Sequence, residues 1–488
     1  MMLNRLACSL LPLLWAPLTW AAPDASQDPA AAEAAAPTGL TYPAARRGTV
    51  VDTYHGTQVA DPYRWLESPD GPETRTWVDA QVALTTTWLD EVPRRTEMRK
   101  RIETLWNYER FGMPYKRGDR YFFSHNSGTQ DHSVLYTVDK LDGTPRVALD
   151  PNTLSKDGTV SAPIQSISED GTMLAYGTSD GGSDWRTLHI RYIDSGRNMT
   201  ETLHWVKFSR PTWTHDNNGF YYSRYPEPAN PLEDVNENQR LYYHQIGTPQ
   251  SKDELIYQRP DNPKMGFGST INDAGDTLFI YISEGTDNKN RLYQKDLRNP
   301  ESEIVKLFDT GDAAYWFLGD KKVKREGGAL SQLFKKKAPP VRRYWIYTNK
   351  DAPNGRVIAI DPANPTPESW VEIIPESDKV LDDISLTGDR LIAKYLVDAR
   401  YEVVVYDLNG TKLSTVPLPG IGSAWGFSGK GNDPETFFAF SGFSTPTRIY
   451  SYNTHTGEAE LWREPKVDFN PEAFETKQVF YESKDGTK

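Results

Sequence analysis

A short strand-like pattern recurs along most of this chain and constrains its fold more than any other feature. In each copy, apolar and aromatic residues alternate and an Asp, Asn or Gly follows, as in a half-buried strand that ends in a turn. The copies are mostly 45–60 residues apart, with one interval of 65, which is close to the repeat length of β-propeller blades. There are seven: SVLYTVD from Ser133, TLHIRYID from Thr187, RLYYHQIG from Arg240, RLYQKDL from Arg291, RVIAID from Arg356, EVVVYDL from Glu402 and RIYSYN from Arg448.

A second pattern interleaves with the first and places a turn before an aromatic-rich strand. It begins at Ser168, Thr214, Asn272 and Leu386, where Asp, Asn and Gly form tight turns. A unit of a few short strands cannot bury both of its faces alone, so the units are expected to stack radially. The sequence therefore predicts an all-β fold, a seven-bladed β-propeller. The alternative is a β-sandwich, which does not require such even spacing.

Residues 72–106 have a different, helical periodicity. Trp77, Val78, Val82 and Trp88 recur at helical spacing, and Pro93 interrupts the pattern. This segment predicts two helices. They carry more exposed tryptophan than a solitary surface helix tolerates, so we expect them to lie against another surface.

The start of the chain predicts export. Arg5 precedes an apolar run, and the small residues Ala21 and Ala22 follow, which is typical of a secretory signal peptide over residues 1–22 and not of a membrane span. Residues 23–40 are an Ala- and Pro-rich flexible linker. Cys8 leaves a lipid anchor open as an alternative, although it precedes most of the apolar run. Cleavage near Ala22 leaves a cysteine-free protein, which we expect in the periplasm or outside the cell.

Charge separates one segment from the rest of the 488-residue chain. The formal net charge of −12 argues against a nucleic-acid partner, because no basic face is supplied for phosphates. Residues 321–343 are strongly basic instead. They are interpreted as a solvated insertion or a segment altered by a local reading-frame error, and the functional alternative is an anionic docking loop.

The residues alone predict no catalytic, metal or cofactor site. A hydrolase nucleophile usually lies within Gly-x-Ser-x-Gly, and neither Ser183 nor Ser428 completes that pattern. The eight histidines form no ligand pair, so no metal is expected. His215 is interpreted as a turn residue, and Asp382 and Asp383 as solvated charges in a loop.

Several long motifs resemble the prolyl oligopeptidases, a family of serine peptidases that cleave short peptides after proline. The resemblance runs from about Tyr42 to the last residue and is weakest across the basic segment. The motifs are YHGTQVADPYRWLE from Tyr54, SEDGTMLAYGTSDGGSDW from Ser168, VKFSRPTWTHDNNGFYY from Val206, LYYHQIGTPQSKDELIY from Leu241 and FYESKDGTK from Phe480.

The resemblance implies a propeller that caps an α/β-hydrolase domain split along the chain. It assigns residues 41–107 to the N-terminal helical segment of the hydrolase domain, 108–466 to the propeller and 467–488 to the start of the second hydrolase portion. Val479 to Tyr481 would form a strand of its first hairpin, with the turn at Asp485-Gly486. The catalytic triad would then lie outside these 488 residues. The chain is expected to be inactive alone, with the missing hydrolase domain as its partner.

The resemblance also implies substrate-binding residues on the propeller. Phe208 matches an aromatic wall of a non-primary pocket, with core packing as the alternative. Its neighbours correspond to Met265, Gly266 and Thr286. Gly266 stands where mammalian members have Met, Thr286 where they have Cys and Ser283 where they have Arg, so the peptide preference is open. Short proline-containing peptides are the expected ligands.

Two functions of different classes remain at this stage. The chain is either the propeller part of a prolyl oligopeptidase-like peptidase or a free-standing periplasmic propeller that binds peptides or a protein. The unpaired strand expected near Val479 favours the first, because a binding module has little use for an exposed edge.

Overall fold

The computed structural model describes residues 40–231, 234–323 and 340–487. The predicted signal peptide, nearly all of the linker and the middle of the basic segment lie outside these ranges. The chain divides into two compact units, one that ends at Lys100 and one that begins at Arg101. Within the described ranges, no helix is both long and apolar enough to cross a membrane.

The first unit contains a hairpin and helical structure. Strands β1 (Val51–Tyr54) and β2 (Thr57–Ala60) pair through a two-residue turn in which His55 and Gly56 both have positive φ, as a type I′ turn requires. Helix α1 (Pro72–Asp90) starts with proline at its first position, where the missing N–H costs no hydrogen bond. Helix α2 (Arg95–Trp106) follows the break at Pro93, and its last residues belong to the second unit. The prediction of two helices is confirmed.

The second unit is a seven-bladed propeller built from consecutive strands. Blades one to three contain β3 (Arg110–Phe111), β4 (Tyr115–Arg117), β5 (Arg120–Asn126), β6 (Val134–Val138) and β7 (Arg146–Leu149); β8 (Val160–Ile167), β9 (Met173–Asp180), β10 (Arg186–Tyr192) and β11 (Asn198–Val206); and β12 (Thr212–Trp213), β13 (Gly219–Arg224), β14 (Arg240–Gln245) and β15 (Glu254–Gln258). Blades four and five contain β16 (Met265–Ile271), β17 (Thr277–Glu284), β18 (Asn290–Asp296) and β19 (Val305–Phe308); and β20 (Tyr315–Val323), β21 (Val341–Thr348), β22 (Arg356–Ile360) and β23 (Val371–Ile374). Blades six and seven contain β24 (Val380–Thr387), β25 (Arg390–Val397), β26 (Arg400–Tyr406) and β27 (Lys412–Thr415); and β28 (Ser423–Gly426), β29 (Glu435–Ser441), β30 (Arg448–Asn453) and β31 (Ala459–Arg463).

Both recurring sequence patterns correspond to fixed positions in the blades. All seven copies of the first pattern form the third strand of a blade: β6, β10, β14, β18, β22, β26 and β30. The four copies of the second pattern form second strands: β9, β13, β17 and β25. The predicted seven-bladed propeller is confirmed.

The core lies between the blades. Six clusters of buried apolar side chains each join two consecutive blades, from the first and second to the sixth and seventh. Phe279 and Phe438 are examples of rings with no exposed surface. Burying one such ring stabilises the fold by about 1.5–3 kcal/mol relative to leaving it in water. Each cluster needs side chains from two blades, which explains why one blade cannot fold alone.

Side chains also join the blades by hydrogen bonds to the inner strands, whose innermost edges have no strand partner. Ser223 Oγ donates to Phe267 O of the next blade at 2.8 Å. The Asn290 amide donates to Tyr315 O at 2.9 Å and accepts from Tyr315 N at 2.7 Å. Such bonds satisfy buried backbone groups that the sheets leave free.

Two expectations need correction or qualification. Val479 to Tyr481 do not form a strand, although the turn beside them forms, with Ser483 N donating to Thr487 O at 2.7 Å. A strand requires a partner for its backbone, and the described residues supply none there. The ends of the basic segment lie in β20 and β21, where Lys321 pairs with Arg343 in the ladder. The interpretation of residues 324–339 remains a prediction.

Candidate functional site on the propeller

The blades present two different faces at the two ends of the inner strands. The strands of a blade are antiparallel, so each strand runs opposite to its neighbour. The loops between second and third strands therefore lie at the same end of the propeller as the connections between blades. We call this end the connection face. The loops between first and second strands lie at the opposite end, which we call the turn face. All four predicted substrate-binding residues lie at the connection face.

Phe208 projects from the connection between β11 and β12. Its side chain is 65% exposed, so the alternative of core packing is wrong. Its φ of 56° lies in the left-handed region, which is unusual for a bulky residue. Such strained residues cluster at ligand-binding sites, because the surrounding structure must hold them in place.

A cluster of aromatic residues is linked to Phe208 through Lys207. Trp185 contacts Trp205 and Tyr225 edge to face, with ring centroids 5.7 and 5.9 Å apart. Lys207 Nζ lies 4.6 Å from the centroid of Trp185 and 5.7 Å from that of Phe208. Burial raises the pKa of the Tyr225 hydroxyl above its usual value. We call these five residues the aromatic platform.

Gln239 connects the aromatic platform to the start of β16. Its side chain is almost completely buried. Its amide donates to Lys207 O at 3.0 Å and accepts from Phe267 N at 2.7 Å. A Cβ on Gly266 would come 3.3 Å from Gln239 Oε1. Glycine at this position therefore leaves room for the hydrogen bond from Phe267 N to that oxygen. The sequence analysis missed Gln239, Trp205 and Tyr225, which lie outside its quoted motifs, and it gave Trp185 no role although one of those motifs ends there.

The other predicted site residues differ in what they expose. Met265 is 4% exposed and packs in the core between the third and fourth blades. Gly266 is partly exposed and pairs with Ser283, and Thr286 is exposed in the loop after β17. The structure therefore places Phe208, Gly266 and Thr286 at the surface, whereas the Met265 side chain points inward.

The acidic pair at Asp382 and Asp383 was expected in a loop, and that expectation is wrong. Both residues lie in β24, where a bulge interrupts the register after Leu381. Lys394 Nζ lies 3.1 Å from an Asp382 carboxylate oxygen and 3.8 Å from one of Asp383. The two carboxylates neutralise Lys394, which is largely buried in β25. The sequence does not show this pairing, because it depends on how β24 and β25 align.

Histidine and serine side chains do not assemble a hydrolase site in the part of the chain that the structure describes. His215 lies in a turn, as expected. His244 Nδ1 lies 2.7 Å from Asp253 Oδ1, but both side chains are completely buried. No serine hydroxyl of the three described ranges bonds to a histidine ring, and no three metal-binding side chains lie together there.

Comparison with known proteins identifies the fold and its relatives. Residues 42–465 match the family model for the prolyl oligopeptidase N-terminal beta-propeller domain. The prolyl endopeptidase of Elizabethkingia meningoseptica is 37% identical over 451 residues, which cover 92% of this chain and 61% of that protein. The prolyl endopeptidase of Dictyostelium discoideum is 30% identical, with coverage of 92% and 66%.

Solved structures give the same result. One from a study of two prolyl endopeptidases has a TM-score of 0.82 at 35% identity and covers 92% of this chain and 63% of its own. Prolyl oligopeptidase B from Galerina marginata, bound to a 35mer hydrolysis and macrocyclization substrate, has a TM-score of 0.79 at 29% identity, with coverage of 92% and 64%. The chain thus spans less than two thirds of these relatives.

Proposed function

Because this chain belongs to the prolyl oligopeptidase family, we propose that its propeller is the substrate-gating part of a serine peptidase that cleaves short peptides after proline. The observation that carries this proposal is Phe208, a strained aromatic residue exposed on the connection face. Its ring, with the half-buried Trp185 beside it, offers an apolar wall to a peptide side chain. Related proteins are named prolyl endopeptidase, and a related prolyl oligopeptidase B was solved with a 35mer substrate.

We propose an α/β-hydrolase domain as the partner that supplies the catalytic triad. Apolar side chains that the described chain leaves uncovered support this partner. On α1, Val82 and Trp88 are 57% and 48% exposed, and near Lys488 Val479 and Phe480 are 75% and 62% exposed. Exposed apolar groups of this size mark interaction surfaces in soluble proteins. In this arrangement the propeller would admit short peptides and exclude large folded proteins.

We also propose that the protein acts after export, in the periplasm or outside the cell. The support is the signal-peptide pattern of residues 1–22.

A chimera tests the proposed function. Residues 41–488 are joined to the C-terminal hydrolase segment of the Elizabethkingia meningoseptica relative and assayed with a chromogenic Gly-Pro peptide. We expect cleavage by the chimera, and neither cleavage nor fluorophosphonate labelling with the 488-residue chain. Phe208→Ala should raise KM several-fold with little change in kcat. The control is Leu461→Ala, which removes an exposed apolar side chain from outer strand β31.

The outcomes separate the two functions of the sequence analysis. An inactive, folded chimera, or a serine labelled in the 488-residue chain, would contradict the proposed peptidase propeller. Peptide binding by the 488-residue chain together with an inactive chimera would favour a free-standing binding module. The DNA that follows codon 488 gives an independent check, since a frame encoding Gly-x-Ser-x-Gly supports the peptidase.

A further inference from the structure

The interface between the seventh and first blades differs from the other six. Each blade consists of consecutive strands, so among the described residues no strand is shared where the ring closes. The six apolar clusters of the core all join other pairs of blades. In the described chain, this interface contains edge-to-face contacts of Tyr121 with Phe437 and of Trp462 with Phe111. Tyr121 also donates to a Glu435 carboxylate oxygen at 2.5 Å.

Residues 427–434, between β28 and β29, connect the seventh blade to blades that are not its neighbours. We call this segment the cross-tunnel loop. Lys430 Nζ lies 2.7 Å from Glu169 Oε2, on the turn face of the second blade. Gly431 N donates to Asp273 Oδ2 of the fourth blade at 2.6 Å. The second and fourth blades are two and three positions from the seventh around the ring, so these contacts pass across the central tunnel.

The neighbouring blades hold the same loop from other sides. Lys321 Nζ of the fifth blade donates to Gly431 O at 3.1 Å and pairs with Asp389 of the sixth blade at 2.5 Å. Asp389 N donates to Gly431 O at 2.8 Å. From the first blade, Lys116 Nζ lies 3.5 Å from Asp433 Oδ2. Six of the seven blades therefore meet at this loop.

Gly431, at the centre of the loop, has close neighbours from two blades. A Cβ on Gly431 would come 2.9 Å from Asp273 Oδ2 and 3.2 Å from a Leu386 methyl group. The half-exposed Asp273 carboxylate could turn away only by giving up its bond to Gly431 N, whereas Leu386 is held in the core. The loop is thus fitted to its position across the tunnel.

We propose that the cross-tunnel loop closes the ring from the inside and takes the place of a strand shared between the seventh and first blades. Lys430 pairs with carboxylates of the second and fourth blades, and Gly431 O accepts a hydrogen bond from the fifth, so separation of the seventh blade from the first requires these contacts to break. The ion pairs are partly exposed, and salt weakens such pairs. Ionic strength therefore controls how often the interface between the seventh and first blades opens.

Hydrogen–deuterium exchange on the 488-residue chain tests this proposal, because exchange reports local opening strand by strand. The variant is Lys430→Met, which keeps most of the side-chain length and removes the charge. In low salt, we expect about tenfold faster exchange in the strands of the first and seventh blades, as for loss of a charged hydrogen bond. The third blade, which the loop does not contact in the described residues, should be unchanged. The wild type should approach the variant as salt rises, and the variant should respond little to salt.

Two further variants keep the test decisive. Lys306→Met is the matched control, because Lys306 pairs with Asp309 at 2.9 Å at the outer edge of the fourth blade, away from the tunnel. It should leave exchange in the first and seventh blades unchanged. If Lys430→Met does not fold, Glu169→Gln removes the opposite charge with little change of shape. Unchanged exchange, or equal acceleration in all blades, would overturn the proposal.

Discussion

Replacing Gln239 tests whether one buried amide holds the aromatic platform to the fourth blade. Gln239→Ala removes the hydrogen bonds to Lys207 O and from Phe267 N. The Phe267 N–H is buried, and a buried backbone group without a partner costs about 1–3 kcal/mol. Lys207 is half-buried, so its carbonyl regains water and adds about 1 kcal/mol. The free energy of unfolding of the propeller should fall by about 2–4 kcal/mol.

Urea unfolding followed by far-UV circular dichroism measures this loss, since the propeller strands dominate that signal. The midpoint should decrease while the slope stays constant, because the surface exposed on unfolding is unchanged. Gln239→Met keeps the volume and should lose nearly as much stability, which separates hydrogen bonding from packing. Gln258→Ala, on the exposed end of β15, should change stability by less than about 0.5 kcal/mol. A large loss for Gln239→Ala with none for Gln239→Met would refute the hydrogen-bond argument.

Three further predictions concern export, the chain ends and acid. The intact mass of exported protein should correspond to removal of about two dozen residues, within the usual 15–30; a full-length or lipidated mass would contradict the signal peptide. Limited proteolysis should trim residues 41–107 and 467–488 before the blades and leave a fragment of roughly 108–466, because exposed, unpaired segments open most easily; ends as resistant as the blades would contradict the uncovered surfaces. Burial alone would raise the pKa of Glu169, but Arg117 and Lys430 lower it below its usual value. Its contribution to stability is therefore complete above the unfolded pKa of about 4.3 and is lost as the pH falls further, through the folded pKa. Glu169→Gln should lower the thermal midpoint at pH 7 and remove part of the acid dependence below about pH 4, whereas equal shifts at both pH values would show that the charge is irrelevant.

The strands, turns and helices of this protein could be predicted from its sequence because their signals are local. Alternation along RLYYHQ or EVVVY depends on neighbours two positions apart, and a turn such as Asp485-Gly486 depends on adjacent residues. Even spacing of these local signals was sufficient for the number of blades. The two helices followed from apolar spacing and from Pro93 for the same reason.

The sites depended on contacts that no local signal records. Alternation shows that a strand has two faces, but the neighbouring blade decides whether a residue such as Met265 is covered or, like Phe208, exposed. Val479 to Tyr481 have the composition of a strand, yet without a partner they form none. Lys430 and Glu169 are 261 positions apart in the sequence and meet only because the ring closes. The tertiary structure decides such long-range pairs, because the local sequence around either residue does not show which distant residue it will contact.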